Sequence, residues 1–92
     1  MMYEDKYSDE IVKKLAKLKK KDTNHYYIIR KKMDWILENP KHNYKFLSHD
    51  MKGMQRIHIG PFVLTFVIDH HDKIISFEDY DHHDNIYNKK CE

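Results

Sequence analysis

The stretch Gln55-Arg56-Ile57-His58-Ile59-Gly60-Pro61-Phe62-Val63-Leu64-Thr65-Phe66-Val67-Ile68-Asp69 decides the fold. Ile57 and Ile59 alternate with Arg56 and His58, the period of two expected of a strand from Gln55 to Gly60 with one buried and one polar face. Phe62 to Asp69 is apolar nearly throughout, which makes it a central strand. A third β-type segment, Lys73 to about Tyr80, sets Ile75 and Phe77 opposite Ser76 and Glu78, and His70, His71 and Asp72 form the turn before it. Connections this short predict an antiparallel meander.

Upstream the period changes. Ser8 can cap a helix that carries Asp9 and Glu10 at the positive end of its dipole. Ile11, Leu15 and Leu18 then recur at helical spacing, with Val12 beside them and Lys13, Lys14, Lys17, Lys20 and Lys21 around the rest of the circumference. A second helix is expected from Thr23 through Ile29, Met33, Ile36 and Leu37, ending at Asn39 before Pro40, with Asp22, Thr23 and Asn24 as the turn between the two. Lys41 to about Gly53 reads as irregular. The predicted architecture is α+β: one domain over residues 1–92, an N-terminal antiparallel helical hairpin packed on one face of a small antiparallel sheet, the other face left for function.

Composition narrows the function classes. The 92 residues suit one domain and one site, and the single Cys91 excludes a disulfide framework and suits a reducing cytosol. No apolar run approaches the length of a membrane span, and the N-terminal MMYEDKYSDE is too charged for a signal peptide. The formal charge of +2 conceals a division: residues 1–60 hold fourteen basic and eight acidic side chains, residues 61–92 three and seven. Eight histidines add to this, so acidification strengthens binding to any polyanion.

The tetrapeptide Asp69-His70-His71-Asp72 recurs as Asp81-His82-His83-Asp84, twelve residues on. A strand of eight residues between them spans roughly 26 Å at ~3.3 Å per residue, too far for one shared metal ion, so no metal site is assigned. The second copy falls at the end of the third strand, beside the region His58 to Val63. Spacing alone leaves two readings open. His82 and His83 approach Arg56 and His58, giving imidazoles for proton transfer and a guanidinium for a phosphate, with Tyr87 to stack on a base or donate a proton. Otherwise Tyr87 packs on the core and His82 caps a strand end.

The segments YSDEIVKKLAKLKKKD, ILENP, MKGMQRIHIGPFVLTFVID and IISFEDYDHHDNIY resemble, over about residues 7–88, the RelE/ParE superfamily of toxins from type II toxin–antitoxin modules. The most specific parts are the Lys52-Gly53 turn followed by Arg56, the aromatic Phe62 opening the next strand, and the histidine-containing tail that ends in Tyr87. The resemblance implies a cytoplasmic toxin held inactive by a cognate antitoxin, in a hetero-oligomer that contacts operator DNA through the antitoxin. RelE-like members cut messenger RNA on the ribosome, without metal or other cofactor, by attack of a ribose 2′-hydroxyl, and so inhibit translation. Carried over by position, the catalytic candidates are Arg56, His82, His83 and Tyr87, and the RNA-binding candidates are Lys52, His58, Lys13, Lys17 and Lys20. Val63 and Asp81 stand where ribonucleases of the family commonly carry arginine. The alternatives are a ParE-like inhibitor of DNA gyrase, which needs no general acid or base, and a catalytically weak member acting mainly through its antitoxin.

Overall fold

The computed structural model describes residues 3–47 and 53–90, the last four by backbone alone. The chain runs β1 (Glu4–Tyr7), α1 (Asp9–Lys21), α2 (Thr23–Glu38), β2 (Lys45–Phe46), β3 (Gln55–Ile59), β4 (Phe62–Asp69), β5 (Ile74–His82) and α3 (His83–Lys90). Ser8 starts α1 as expected, its hydroxyl accepting the Ile11 N–H at 3.1 Å. The turn between the helices is tighter than predicted. Asp22 alone joins them: its N–H donates to the Leu18 carbonyl at 2.7 Å, closing α1, and its carboxylate accepts the His25 N–H at 3.2 Å, opening α2. Thr23 and Asn24 are already helical.

The five strands form one sheet in the order β1-β5-β4-β3-β2. The meander β3-β4-β5 is antiparallel as predicted, with Gly60 at φ 60° in the two-residue connection between β3 and β4. Two strands were not foreseen. β2 pairs with β3, and β1 adds to β5 in parallel, so the sheet is mixed. β1 ends at Tyr7, opposite Phe77, and beyond it no strand among the described residues pairs with that edge of β5.

A bulge interrupts the β4–β5 ladder. Thr65 faces Asp79 and Phe66 faces Phe77, so Glu78 has no partner opposite it. Its carbonyl accepts the Ser8 hydroxyl at 2.5 Å. The extra residue lets Phe77 and Tyr80, three positions apart, both enter the core, and it reverses the facing of everything after it.

The core lies between the helical hairpin and the sheet. Ile11 and Leu15 of α1 meet Ile29, Met33 and Ile36 of α2, Leu64 and Phe66 of β4, and Ile75, Phe77 and Tyr80 of β5. Each fully buried aliphatic or aromatic side chain contributes about 1.5–3 kcal/mol relative to exposure. The opposite face is not left open. α3 turns back across it, and Ile86 and Leu47 close over Val63, which is fully buried. No helix among the described residues is long and apolar enough to cross a membrane.

Candidate active site

Register across the sheet lays out the polar face. His58 pairs with Val63 and Val63 with Asp81, while Lys45 pairs with Arg56, Arg56 with Thr65 and Thr65 with Asp79. Directly opposed residues share a face, so Lys45, Arg56 and His58 stand together on the side away from α1 and α2. Lys45 directly opposite Arg56 is a like-charge cross-strand pair, which costs sheet stability unless an anion lies between them.

These side chains, with His42, Asn43, Tyr44 and Ile57, line a cleft of about 280 Å³ that no carboxylate among the described residues lines. The Arg56 guanidinium reaches His58, Nη1 to Nδ1, at 3.4 Å. Its Nε is buried and has no hydrogen-bond partner among the described residues. Neither Arg56 nor Lys45 makes an ion pair among them. The His58 pKa is lowered, first by burial, then by Arg56, His83 and Lys45, so its neutral form is favoured. Tyr44 donates to the Asn39 carbonyl at 2.8 Å, and burial pushes its hydroxyl up to about 12, which keeps it a neutral wall of the cleft.

The tail divides at the start of α3. The His83 ring lies 6.4 Å from that of His58, and its N–H donates to the Pro61 carbonyl at 3.0 Å. Its Nδ1 is 3.0 Å from the Asp84 carboxylate. His82 takes the other side: its ring stands edge-on to Phe62 at 5.8 Å, and Phe62 stacks on Tyr80 in the layer facing the helices. The structure thus brings Arg56, His58 and His83 together, while the His82 ring turns toward Phe62 but still lies 6.4 Å from that of His83. Tyr87 lies on α3 with its side chain outside the described set, and Lys52 lies outside the described residues.

Lys13, Lys17 and Lys20 are exposed on α1, away from the cleft. Lys17 instead borders a groove of about 330 Å³ with Lys14, Lys21, His25, Phe62 and Tyr80. Two contributors escaped the sequence reading. Lys45 carries no signal of its own in the sequence, because the two-residue β2 has no periodicity. Lys14 is one of the lysines spread around the circumference of α1, yet its Nζ bridges Asp79 at 2.7 Å and Asp81 at 3.0 Å. The two Asp-His-His-Asp copies lie at opposite ends of β5, and among the described residues no group of three or more possible metal ligands converges.

No family model matches the chain. A Methanocaldococcus jannaschii protein named "Putative toxin RelE4" is 46% identical over 90 residues, covering 97% of this chain and 95% of its own. The chain belongs to the RelE-like toxin family. An uncharacterised Methanosarcina mazei protein is 47% identical over 87 residues, 94% of this chain and 100% of that one. Among solved structures, the isolated Escherichia coli RelE toxin has a TM-score of 0.73 at 15% identity, covering 97% of this chain and 95% of its own. The Mycobacterium tuberculosis toxin–antitoxin complex RelBE2 gives 0.73 at 17% identity, covering 89% and 99%. At such identities the likeness establishes the RelE fold of this toxin.

Proposed function

We propose that this RelE-like toxin is a ribosome-dependent messenger-RNA endoribonuclease restrained by a cognate antitoxin, with Arg56, His58 and His83 at the reacting phosphate. The observation that carries the reading is the gathering of Lys45, Arg56 and His58 on one face, around a cleft that no carboxylate among the described residues lines, with the His83 ring 6.4 Å from that of His58. In the reaction a ribose 2′-oxygen loses its proton and attacks the adjacent phosphorus. The 5′-oxygen leaves with a proton, giving a 2′,3′-cyclic phosphate and a 5′-hydroxyl.

Each step has a group suited to it. His58, biased toward neutral imidazole, accepts the 2′-hydroxyl proton. Arg56 and Lys45 hold the non-bridging oxygens as negative charge builds, an interaction worth about 2.7–4 kcal/mol for one well-placed donor. His83, when protonated beside Asp84, delivers the proton to the leaving oxygen. Tyr87 is the candidate for stacking on a neighbouring base, and Lys52, Lys13, Lys17 and Lys20 for holding backbone beyond the cleft. His82, whose ring lies 6.4 Å from that of His83 and whose Nδ1 accepts the Asp84 N–H at 3.2 Å, is the second candidate for delivering the proton to the leaving oxygen.

The E. coli neighbour solved as an intact RelBE complex supports an antitoxin partner, and an acidic segment laid over the cationic cleft would block RNA. That assembly would contact operator DNA through the antitoxin. The site of action is the cytoplasm, where messages are translated. Induced expression tests the reading: translated messages should be cut within codons while chromosomal DNA stays intact. DNA damage and filamentation with intact messages would instead indicate gyrase inhibition, and neither effect would indicate a catalytically silent member.

A further inference from the structure

Lys14, Lys17, Leu18 and Lys21 recur at i, i+3, i+4 and i+7, one stripe of α1. That stripe walls the groove of about 330 Å³ that lies between α1 and the Phe62 and Tyr80 ends of β4 and β5, a volume within the range of about 300–1,000 Å³ of small-ligand sites. The floor is aromatic. Phe62 is half-buried and stacks on Tyr80, with centroids 5.3 Å and planes 18° apart, and the His25 ring stands edge-on to the two at 5.0 and 5.7 Å. His25 Nε2 and the Tyr80 hydroxyl share a hydrogen bond of 2.7 Å, so the polar groups of the floor satisfy each other and hold its rings in place. The rim is cationic. Asp81, the carboxylate at the rim, is covered by Lys14 Nζ at 3.0 Å, whereas Lys17 and Lys21 are exposed and make no ion pair among the described residues.

We propose that this groove is a second RNA subsite, in which one unpaired base of the message stacks against Phe62 while Lys17 and Lys21 hold the phosphates beside it. The proposal deepens the ribonuclease reading and rests on it for the identity of the strand. An aromatic floor under a cationic rim is the combination that binds single strands without regard to sequence, because every base offers a π-face and every nucleotide a charge. Continuity with the cleft points to the message rather than to a protein segment. The rings of His58 and His83 are 6.4 Å apart, those of His83 and His82 6.4 Å, and those of His82 and Phe62 5.8 Å, so a line of rings runs from the cleft around the end of the sheet into the groove. Gly60 and Pro61, which connect β3 to β4 at that end, are exposed. A strand with its reacting phosphate at Arg56 and His58 therefore reaches Phe62 within a few nucleotides, and both faces of the sheet grip one message.

The test uses the full chain and short unstructured RNAs that are 2′-O-methylated throughout, so that binding is read without cleavage, with the fluorescent base 2-aminopurine placed at one position after another. A position a few nucleotides from the one held at the cleft should be quenched on binding. Phe62→Leu should abolish that quenching and weaken binding about tenfold. Lys17→Gln with Lys21→Gln should lower the slope of log affinity against log salt by about 1.4, whereas Lys31→Gln with Lys32→Gln, the same loss of charge on α2 away from the groove, should change it far less. No quenched position, or quenching that survives in a folded Phe62→Leu, would overturn the proposal. Should Phe62→Leu not fold, the lysine pair decides, and a salt slope equal to that of the α2 pair would overturn it. Binding of an acidic peptide, or self-association, that the Lys17 and Lys21 pair abolishes while no RNA position is quenched would give the groove to a protein partner or a second copy, and overturn it too. Cleavage of unmodified message on ribosomes is scored separately: quenching without cleavage would overturn the ribonuclease reading alone, and cleavage without quenching the groove alone.

Discussion

The rings of His58 and His83 lie 6.4 Å apart, brought together from the third strand of the sheet and the first residue of the terminal helix. The strand spacing left this approach open as one of two readings. The contact depends on α3 starting immediately after β5 and on the His83 N–H reaching the Pro61 carbonyl. Two imidazoles beside an arginine whose Nε has no hydrogen-bond partner among the described residues give the face its chemical character.

Arg56→Ala should reduce RNA cleavage by a factor of about 100–1,000, the cost of one donor to developing phosphorane charge. Thermal unfolding should stay within a few degrees of wild type, because removing Arg56 also relieves its opposition to Lys45. Arg56→Lys restores charge without the planar fork and should recover little of the rate. Single-turnover kinetics and a melting curve, measured on the same preparations, check both halves.

The lowered His58 pKa sets the direction of two pH effects. As a base His58 acts unprotonated, so cleavage should persist below the pH at which an ordinary histidine, near ~6.5, becomes charged. For stability the sign is opposite to that of a paired histidine. The folded state disfavours protonation, so His58 is neutral in effect above its unfolded pKa and destabilises as pH falls below it. His58→Gln should therefore gain in relative stability on moving from pH 7.5 to pH 5.5, as read from denaturant midpoints. Lys45→Met should move the acidic limb of wild-type cleavage upward by removing one of the charges that lower His58.

Asp81 titrates near about 2: burial raises it, but hydrogen bonds from Asn85, Lys14 and the His82 N–H outweigh that. A depressed carboxylate contributes stability above its unfolded pKa, near ~3.9, and loses it as pH falls toward the folded value. Asp81→Asn should thus cost about 1–2 kcal/mol at pH 7, discounted for its partial exposure, and almost nothing at pH 2. Urea melts at the two pH values give the comparison.

Restoring the family arginine at Val63 should not improve catalysis. Val63 is fully buried beneath Ile86 and Leu47, so Val63→Arg must either expel α3 or bury an unpaired guanidinium. A loss of about 3 kcal/mol or more is expected, with faster amide exchange throughout α3. Leu47 and Ile86 thus account for the departure from the family pattern in packing terms: this chain uses the position to dock its terminal helix.

Core truncation gives a reference scale for these effects. Phe66 is fully buried between Tyr44 and Phe77, with centroids at 5.1 and 6.3 Å, so Phe66→Ala should cost about 3–5 kcal/mol. Phe46→Ala, at an exposed position, should move the melting temperature little.

Where a physical signal repeats along the chain, the sequence was legible. Ser8 with Asp9 and Glu10 marks a helix start, Ile29 to Leu37 carries the helical period, and Ile57 and Ile59 alternate cleanly. β1 was missed because Glu4-Asp5-Lys6-Tyr7 has no apolar alternation and is held by parallel pairing to a strand far along the chain. The bulge at Glu78 was invisible for a different reason: Ile75 and Phe77 set a period of two, and nothing local announces that it slips before Tyr80. That slip sends His82 toward Phe62. Arg56 and His58 could be nominated from their strand, but Lys45 and Lys14 acquire their places only through pairing and packing between distant segments.

If this face cleaves RNA through Arg56 and His58, the cut is visible on a ribosome-bound message. Purified toxin should be added to ribosomes carrying a defined message, with product ends mapped and their chemistry determined. The account predicts cuts within the codon in the decoding site, 2′,3′-cyclic phosphate ends, and a loss of about 100-fold or more in Arg56→Ala and His58→Gln. An intact message, or Arg56→Ala cutting at the wild-type rate, would contradict it.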